Sequence, residues 1–423
     1  MLFASPLLPN NVQHYPRPPT YDLPDLPPAK RSSFWLLPIS IALQQITLAI
    51  IGPLPKSSPL RTLLPAIVVP ITIGIGIQAT LFCHHLTSPV VNFAYGTATV
   101  SITLQGIDIL FLIPWRYEIP LTELFRIPDK PCPTASATWR QRFDWASAYF
   151  NNPRMLNTPF EPTLLKQRRK KLARISRSRF LVTRFATVIM TWVLIDFLLA
   201  WCRYDLWFGS ATHQMALPDT LFSGALRTVF GGSAIWMAVN SEHALCAIIY
   251  VGILGQDHTH WPDLFGIWSE EWYTIAEFWA VAWHGVFRQQ FTFLTNTVSS
   301  RVLRIVIPFL LSGILHFAGA HIQSRDGVNA MMFLLLQPLG ILVQQAIIGS
   351  VGGLKGTAWW FKAVVWLSTM VWLIATGYGF VKSYAEGGMF DIEPIPLSFL
   401  SLLGIVEGKA YRYGGAMAHF GWY

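Results

Sequence analysis

Stretches of roughly twenty apolar residues recur along this 423-residue chain, and they constrain its fold more than any other feature. "FWLLPISIALQQITLAIIGPL" (34–54), "LLPAIVVPITIGIGIQATLF" (63–82) and "FLVTRFATVIMTWVLIDFLLAW" (180–201) are each long enough to cross a bilayer as a helix. Windows at 90–114, 229–254, 305–322, 330–350 and 359–381 repeat the pattern, with a shorter one near 395–406. Asp108 lies near one end of the third window, and Asn240, Glu242 and His243 interrupt the fifth. A backbone in hydrocarbon must satisfy its own polar groups, and no twofold alternation of polarity is present, so these runs read as helices. Only 13% of residues are charged, where a soluble domain carries roughly 25%. The expected fold is an all-α polytopic membrane protein with about eight transmembrane helices (seven to nine) plus interfacial amphipathic helices.

The segments outside the spans suggest an orientation. Residues 1–33 are Pro-rich, with neither a basic n-region nor a continuous apolar run, and read as an extended tail rather than a secretory signal. Residues 34–423 then form a single membrane-embedded domain, without the internal repeat of many transporters. The net charge is +9, and the stretch 164–184 alone holds nine Lys/Arg and no Asp/Glu. Because that run directly precedes an apolar span, 115–179 is expected to be a cytosolic loop with amphipathic or interfacial helices, its basic end attracted to anionic headgroups; nucleic acid is not an expected partner. The loop's aromatics (Trp115, Tyr117, Trp139, Phe143, Trp145, Tyr149 and Phe150) suit the boundary between water and lipid. The four cysteines (Cys83, Cys132, Cys202 and Cys246) are widely spaced and suggest neither a disulfide framework nor a zinc site.

Chemistry points to 260–321. "HWPDLFGIWSEEWYTIAEFWAVAWHGVFRQQF" (260–291) is too polar for a span and too aromatic for an ordinary loop. Read as a helix from about Thr274 to Phe291, it sets Glu277, His284 and Arg288 along one side, at spacings of seven and four. The spacing alone fits a solvated polar face equally well. "RIVIPFLLSGILHFAGAH" (304–321) then places His316 inside an apolar run. An ionisable residue at that depth usually faces a cavity or a partner. Taken alone it could be a core histidine bonded to a neighbouring helix; a neutral imidazole there could equally be a general base. Ser312 lies one turn earlier on the same side, while His321 is rotated away toward the end of the span. No metal site is expected. His316 and His321 are five residues apart, not four, and "HTH" (258–260) has no obvious third ligand nearby.

Together these two segments resemble the wax-synthase-like branch of the membrane-bound O-acyltransferases. In that branch a segment of the type FG-x-W-S…FW-x-x-x-WH-x-x-x-R precedes a span of the type F-x-x-SG-x-x-H. Fungal members include acetyltransferases of terpenoid and meroterpenoid metabolism. The resemblance implies His316 as the catalytic histidine and His284 as the first motif's His/Asn position. It implies Phe278, Trp279, Trp283 and Arg288 as that motif's aromatic and basic frame. "FWAVAWH" (278–284) lacks the family's basic residues after the FW pair. That leaves Arg288, Arg301 and Arg304, with Ser312, as candidates for the substrate and the CoA phosphates. The implied reaction is transfer of an acyl group, acetyl by preference, from a CoA cosubstrate to a lipophilic alcohol in the endoplasmic reticulum membrane, with no bound cofactor. Long-chain wax-ester synthesis and transport of a lipophilic metabolite are the alternatives. A terpene cyclase would need paired carboxylates, and Glu270 and Glu271 are adjacent and point apart on a helix.

Overall fold

The computed structural model describes residues 34–82, 89–126, 132–208, 217–266, 271–295, 297–324, 326–391 and 394–405. The tail 1–33, Cys83 and the Trp268–Ser269 part of the motif lie outside them. Among the described residues the regular elements are helices. The principal ones are α1 (Leu36–Ile51), α2 (Leu60–Phe82), α3 (Pro89–Gly106), α4 (Trp139–Phe150), α5 (Thr163–Leu172) and α6 (Arg177–Tyr204). They are followed by α7 (Leu221–Ala247), α8 (Ile275–Glu277), α9 (Arg288–Thr295), α10 (Arg301–Ser324), α11 (Val328–Ser350) and α12 (Trp359–Glu386).

Seven of these helices are long and apolar enough to cross a membrane: α2, α3 carried on to Arg116, α6, α7 carried on to Ile253, α10, α11 and α12. The expected eighth, α1, has only sixteen residues. It turns Ser40, Gln44 and Thr47 inward, so it is a shorter apolar helix packed on the bundle. The window near 395–406 yields one described turn, Phe399–Leu402. Asn240, Glu242 and His243 do not interrupt α7, which begins eight residues before the expected 229. Outward faces of α2, α6 and α12 present Leu63, Ile67, Val182, Phe185, Leu367 and Val371, as hydrocarbon requires. Pro65, Pro70, Pro308 and Pro338 sit inside helices, where neighbouring helices make such breaks tolerable.

The 115–179 segment carries two of the helices, α4 and α5. A Thr138–Gln141 capping box starts α4, which packs on α1. Trp145, Tyr149 and Phe150, expected at the lipid boundary, are buried with Leu48 and Ile51, and the Trp145 indole donates to the Phe125 carbonyl at 3.1 Å. Their face of an amphipathic helix is covered by another helix, whereas Trp115 and Trp139 do stay exposed.

Helix α10 runs between α3 and α11. Its approach to α3 is backbone to backbone. A methyl group at Gly96 would overlap the Ala318 carbonyl, and one at Gly319 would overlap the Phe93 ring and the Thr97 methyl. This contact fixes the helix that carries His316.

Candidate active site

A cavity of about 610 Å³ opens between α7, α8, α9, α10, α11 and α12. Its wall is mostly aromatic and aliphatic, with Trp236, Trp279, Phe309, Phe333 and Phe380 prominent. The few polar groups include His284, Arg288, Arg304, Ser312, His316 and Gln345.

His316 sits on an unbroken stretch of α10. Its Nδ1 lies 2.8 Å from the Ser312 carbonyl oxygen one turn back. A carbonyl only accepts, so Nδ1 carries the proton and donates it, which leaves Nε2 as the lone-pair nitrogen of the neutral ring. Phe93 and Phe380 flank the ring, with centroids 6.3 and 5.6 Å away. Ser312 therefore orients His316 through its backbone and not its hydroxyl. His321 stacks on Phe317 at 5.3 Å and does not line the cavity.

His284 is held quite differently, because the helix expected over 274–291 does not exist. Thr274 and Glu277 form a capping box that starts α8, and the Glu277 carboxylate accepts from the Tyr273 and Thr274 amides at 2.9 and 3.0 Å. Glu277 is thus a cap, not part of a shared polar face. The helix runs on as a π turn over Phe278–Ala282 and stops at Trp283, whose backbone is extended (φ −81°, ψ 160°). A broken helix leaves carbonyls without intrahelical partners. Here three of them find one outside the helix. Arg288 Nη1 donates to the Ala280 oxygen at 3.0 Å, Arg168 Nη2 to Val281 at 2.9 Å, and the Gly266 amide to Ala282 at 3.0 Å. The chain then turns His284 into the cavity against Phe265 and Trp283, with centroids 5.7 and 5.3 Å away. Its Nδ1 is buried and has no protein hydrogen-bond partner. Burial, with lesser contributions from the His316 and Arg154 charges, pushes its pKa down to about 3, so the ring is neutral.

The start of α8 is tied down by two glutamines seven residues apart on α11. Gln344 Oε1 accepts from the Ile275 amide at 2.8 Å, and Gln337 Oε1 accepts from the Trp279 indole at 3.3 Å. Their amide groups donate to Thr369 and to the Phe333 carbonyl, at 2.9 and 2.7 Å. The signal for this tether in the sequence is a pair of amides seven residues apart in the apolar run 330–350.

Of the residues singled out by sequence, Trp283, His284, Arg288, Arg304, Ser312 and His316 line one cavity. Arg301 does not; its guanidinium donates to Gln345 at 3.2 Å, at the rim. Arg304 donates to the Ser299 carbonyl at 2.8 Å. The histidines of 258–260 are engaged elsewhere: His258 meets the Leu172 and Ile175 carbonyls, and His260 meets Asn157. Among the described residues no three His, Cys, Asp or Glu side chains come together as a metal ion would need.

Residues 261–336, which span both histidine segments, match the model of the membrane bound O-acyl transferase family. The segment that carries both histidines is thus similar to that family. Among its curated relatives, acetyltransferase eriL of Hericium erinaceus is 24% identical over 322 residues, 72% of this chain and 81% of the relative. Acetyltransferase sirH of Emericella nidulans is 26% identical over 159 residues, 34% of this chain and 36% of the relative. O-Mevalon transferase yanI of Aspergillus niger is 26% identical over 221 residues, 44% of this chain and 47% of the relative. No solved structure matches the chain significantly. The match over 261–336, the relatives named acetyltransferases and the seven helices long and apolar enough to cross a membrane support an acyl-CoA-dependent O-acyltransferase of the multi-pass membrane class.

Proposed function

We propose that the protein transfers an acetyl group from acetyl-CoA to a hydroxyl of a lipophilic secondary metabolite, such as a terpenoid or meroterpenoid, in the endoplasmic reticulum membrane. The observation that carries this reading is the pairing of two imidazoles in one apolar cavity, one with Nδ1 fixed on a backbone carbonyl and one with Nδ1 unbonded. His316 Nε2 takes the proton of the acceptor hydroxyl as its oxygen attacks the thioester carbonyl carbon. The carbon–sulfur bond breaks, an ester forms, and the proton passes to the departing CoA thiolate. His284, in the protonation state that donates from the nitrogen facing the carbonyl, stabilises the oxyanion. The aromatic wall excludes water that would otherwise hydrolyse the thioester.

The cavity is long enough for the donor. Arg304 and His316 are twelve residues apart on one helix, about 18 Å at 1.5 Å per residue, which is on the scale of a pantetheine arm. Arg304 and Arg288 hold phosphates at the cytosolic end, and Arg301 supports that rim through Gln345. The relatives named acetyltransferases favour acetyl over a long chain. No bound cofactor takes part. Microsomes carrying the protein, given radiolabelled acetyl-CoA and a panel of terpenoid alcohols, should yield acetyl esters that vanish with His316→Ala. Equal ester formation by a well-folded His316→Ala variant would refute the mechanism. Product formed only from palmitoyl-CoA would move the reading to wax-ester synthesis.

A further inference from the structure

We infer that Arg168, in the basic helix α5, is a positioning residue for His284. Its place in a run of nine Lys/Arg suggests a solvated or lipid-facing cation, yet the structure buries it to 8% exposure. One guanidinium nitrogen donates to the Asp263 carbonyl at 3.0 Å and contacts that of Leu264 at 3.4 Å, while the other donates to Val281 at 2.9 Å. Arg168 thereby bridges the strand of chain before the site to the last turn before Trp283 and His284. Two further arginines complete the hold on 261–263. Arg154 donates to the Pro262 and Asp263 carbonyls at 2.9 and 3.1 Å, and Arg184 reaches the Trp261 carbonyl at 3.1 Å and the Asp263 carboxylate at 2.5 Å. Of these three arginines, Arg168 is the one that also donates to the π turn, at Val281. Phe265, one residue beyond Leu264, is also the ring packed edge-on against His284. The guanidinium therefore sets both the backbone that aims His284 and the wall it rests on.

The inference rests on the acyl-transfer reading for its catalytic consequence, but its geometric content can be tested apart from it. Diethyl pyrocarbonate acylates accessible neutral imidazoles, and peptide mass spectrometry reports each histidine separately. In the full-length protein in detergent, Arg168→Met should raise the rate at His284 several-fold and leave His316, held within a continuous helix, unchanged. Arg168→Lys, which keeps one donor for the Val281 carbonyl, should fall between the two and serves if the Met variant does not fold. An unchanged rate at His284, or an equal rise at both histidines, overturns the proposal. In the transfer assay with acetyl-CoA, Arg168→Met should lower kcat about 10- to 100-fold, as a misplaced group does, with KM for acetyl-CoA unchanged. A raised KM with unchanged kcat would make Arg168 a phosphate contact and overturns the positioning role. If the parent transfers no acetyl group, the acyl-transfer reading fails while the reactivity measurement still decides Arg168.

Discussion

The two histidines of one cavity are held by opposite means. His316 takes its orientation from a carbonyl four residues back on its own helix, and needs nothing from the rest of the chain to set its tautomer. His284 sits just past a helix that has been cut short, and its place depends on carbonyl partners more than a hundred residues away on one side and sixteen on the other. A group meant to hold one protonation geometry is well served by the first arrangement. The second allows a side chain to be aimed at an angle no regular helix offers, at the cost of several buried charged contacts.

Breaking the first member should have the largest effect. His316→Ala is expected to lower kcat by about 10²–10⁴-fold, the usual contribution of a positioned base, measured as ester formed from labelled acetyl-CoA. His284→Ala should cost about 10²–10³-fold, as loss of one oxyanion donor does, and the comparison inverts if His284 proves the more costly of the two. The tether on α11 comes next. Gln344→Leu leaves the Ile275 amide buried without an acceptor and should destabilise by about 1–3 kcal/mol, read as a lower melting midpoint in detergent.

Acid offers a further test of His284. An unfolded imidazole takes its proton near pH 6.5, whereas folded His284 holds out until about 3. Between these values the unfolded state binds more protons, so stability from this residue is fully present above pH 6.5 and falls as pH drops toward 3. The melting midpoint should decline from pH 7 to pH 5, and His284→Asn should flatten that slope; an identical slope would show that His284 is not the buried neutral group described. The smallest effect belongs to Ser312→Ala. Because its carbonyl alone touches His316, activity should remain within about threefold of the parent.

The same contrast explains what the sequence could reveal. Spans are legible because hydropathy sums over twenty residues, and His316 stood out because its surroundings are local and apolar. The end of the Thr274 helix was not legible: the groups that stop it, Arg168 and Gly266, meet it only in the folded chain. Trp145 and Phe150 misled for a related reason, since nothing in an amphipathic pattern says whether lipid or α1 covers the apolar face. Arg168 gave no local sign at all among eight similar charges.

The glycine contact between α3 and α10 has a consequence for how such an enzyme can change its acceptor. Behind His316, Gly96 lies against the Ala318 main chain and Gly319 against the Phe93 ring and the Thr97 methyl, and a side chain at either glycine would clash. Neither glycine can therefore take on bulk. Room for a larger acceptor is expected instead from side chains that line the cavity, such as Phe333, Leu373 and Phe380. Shortening those side chains would enlarge the chamber while the seam keeps the helix of His316 in place.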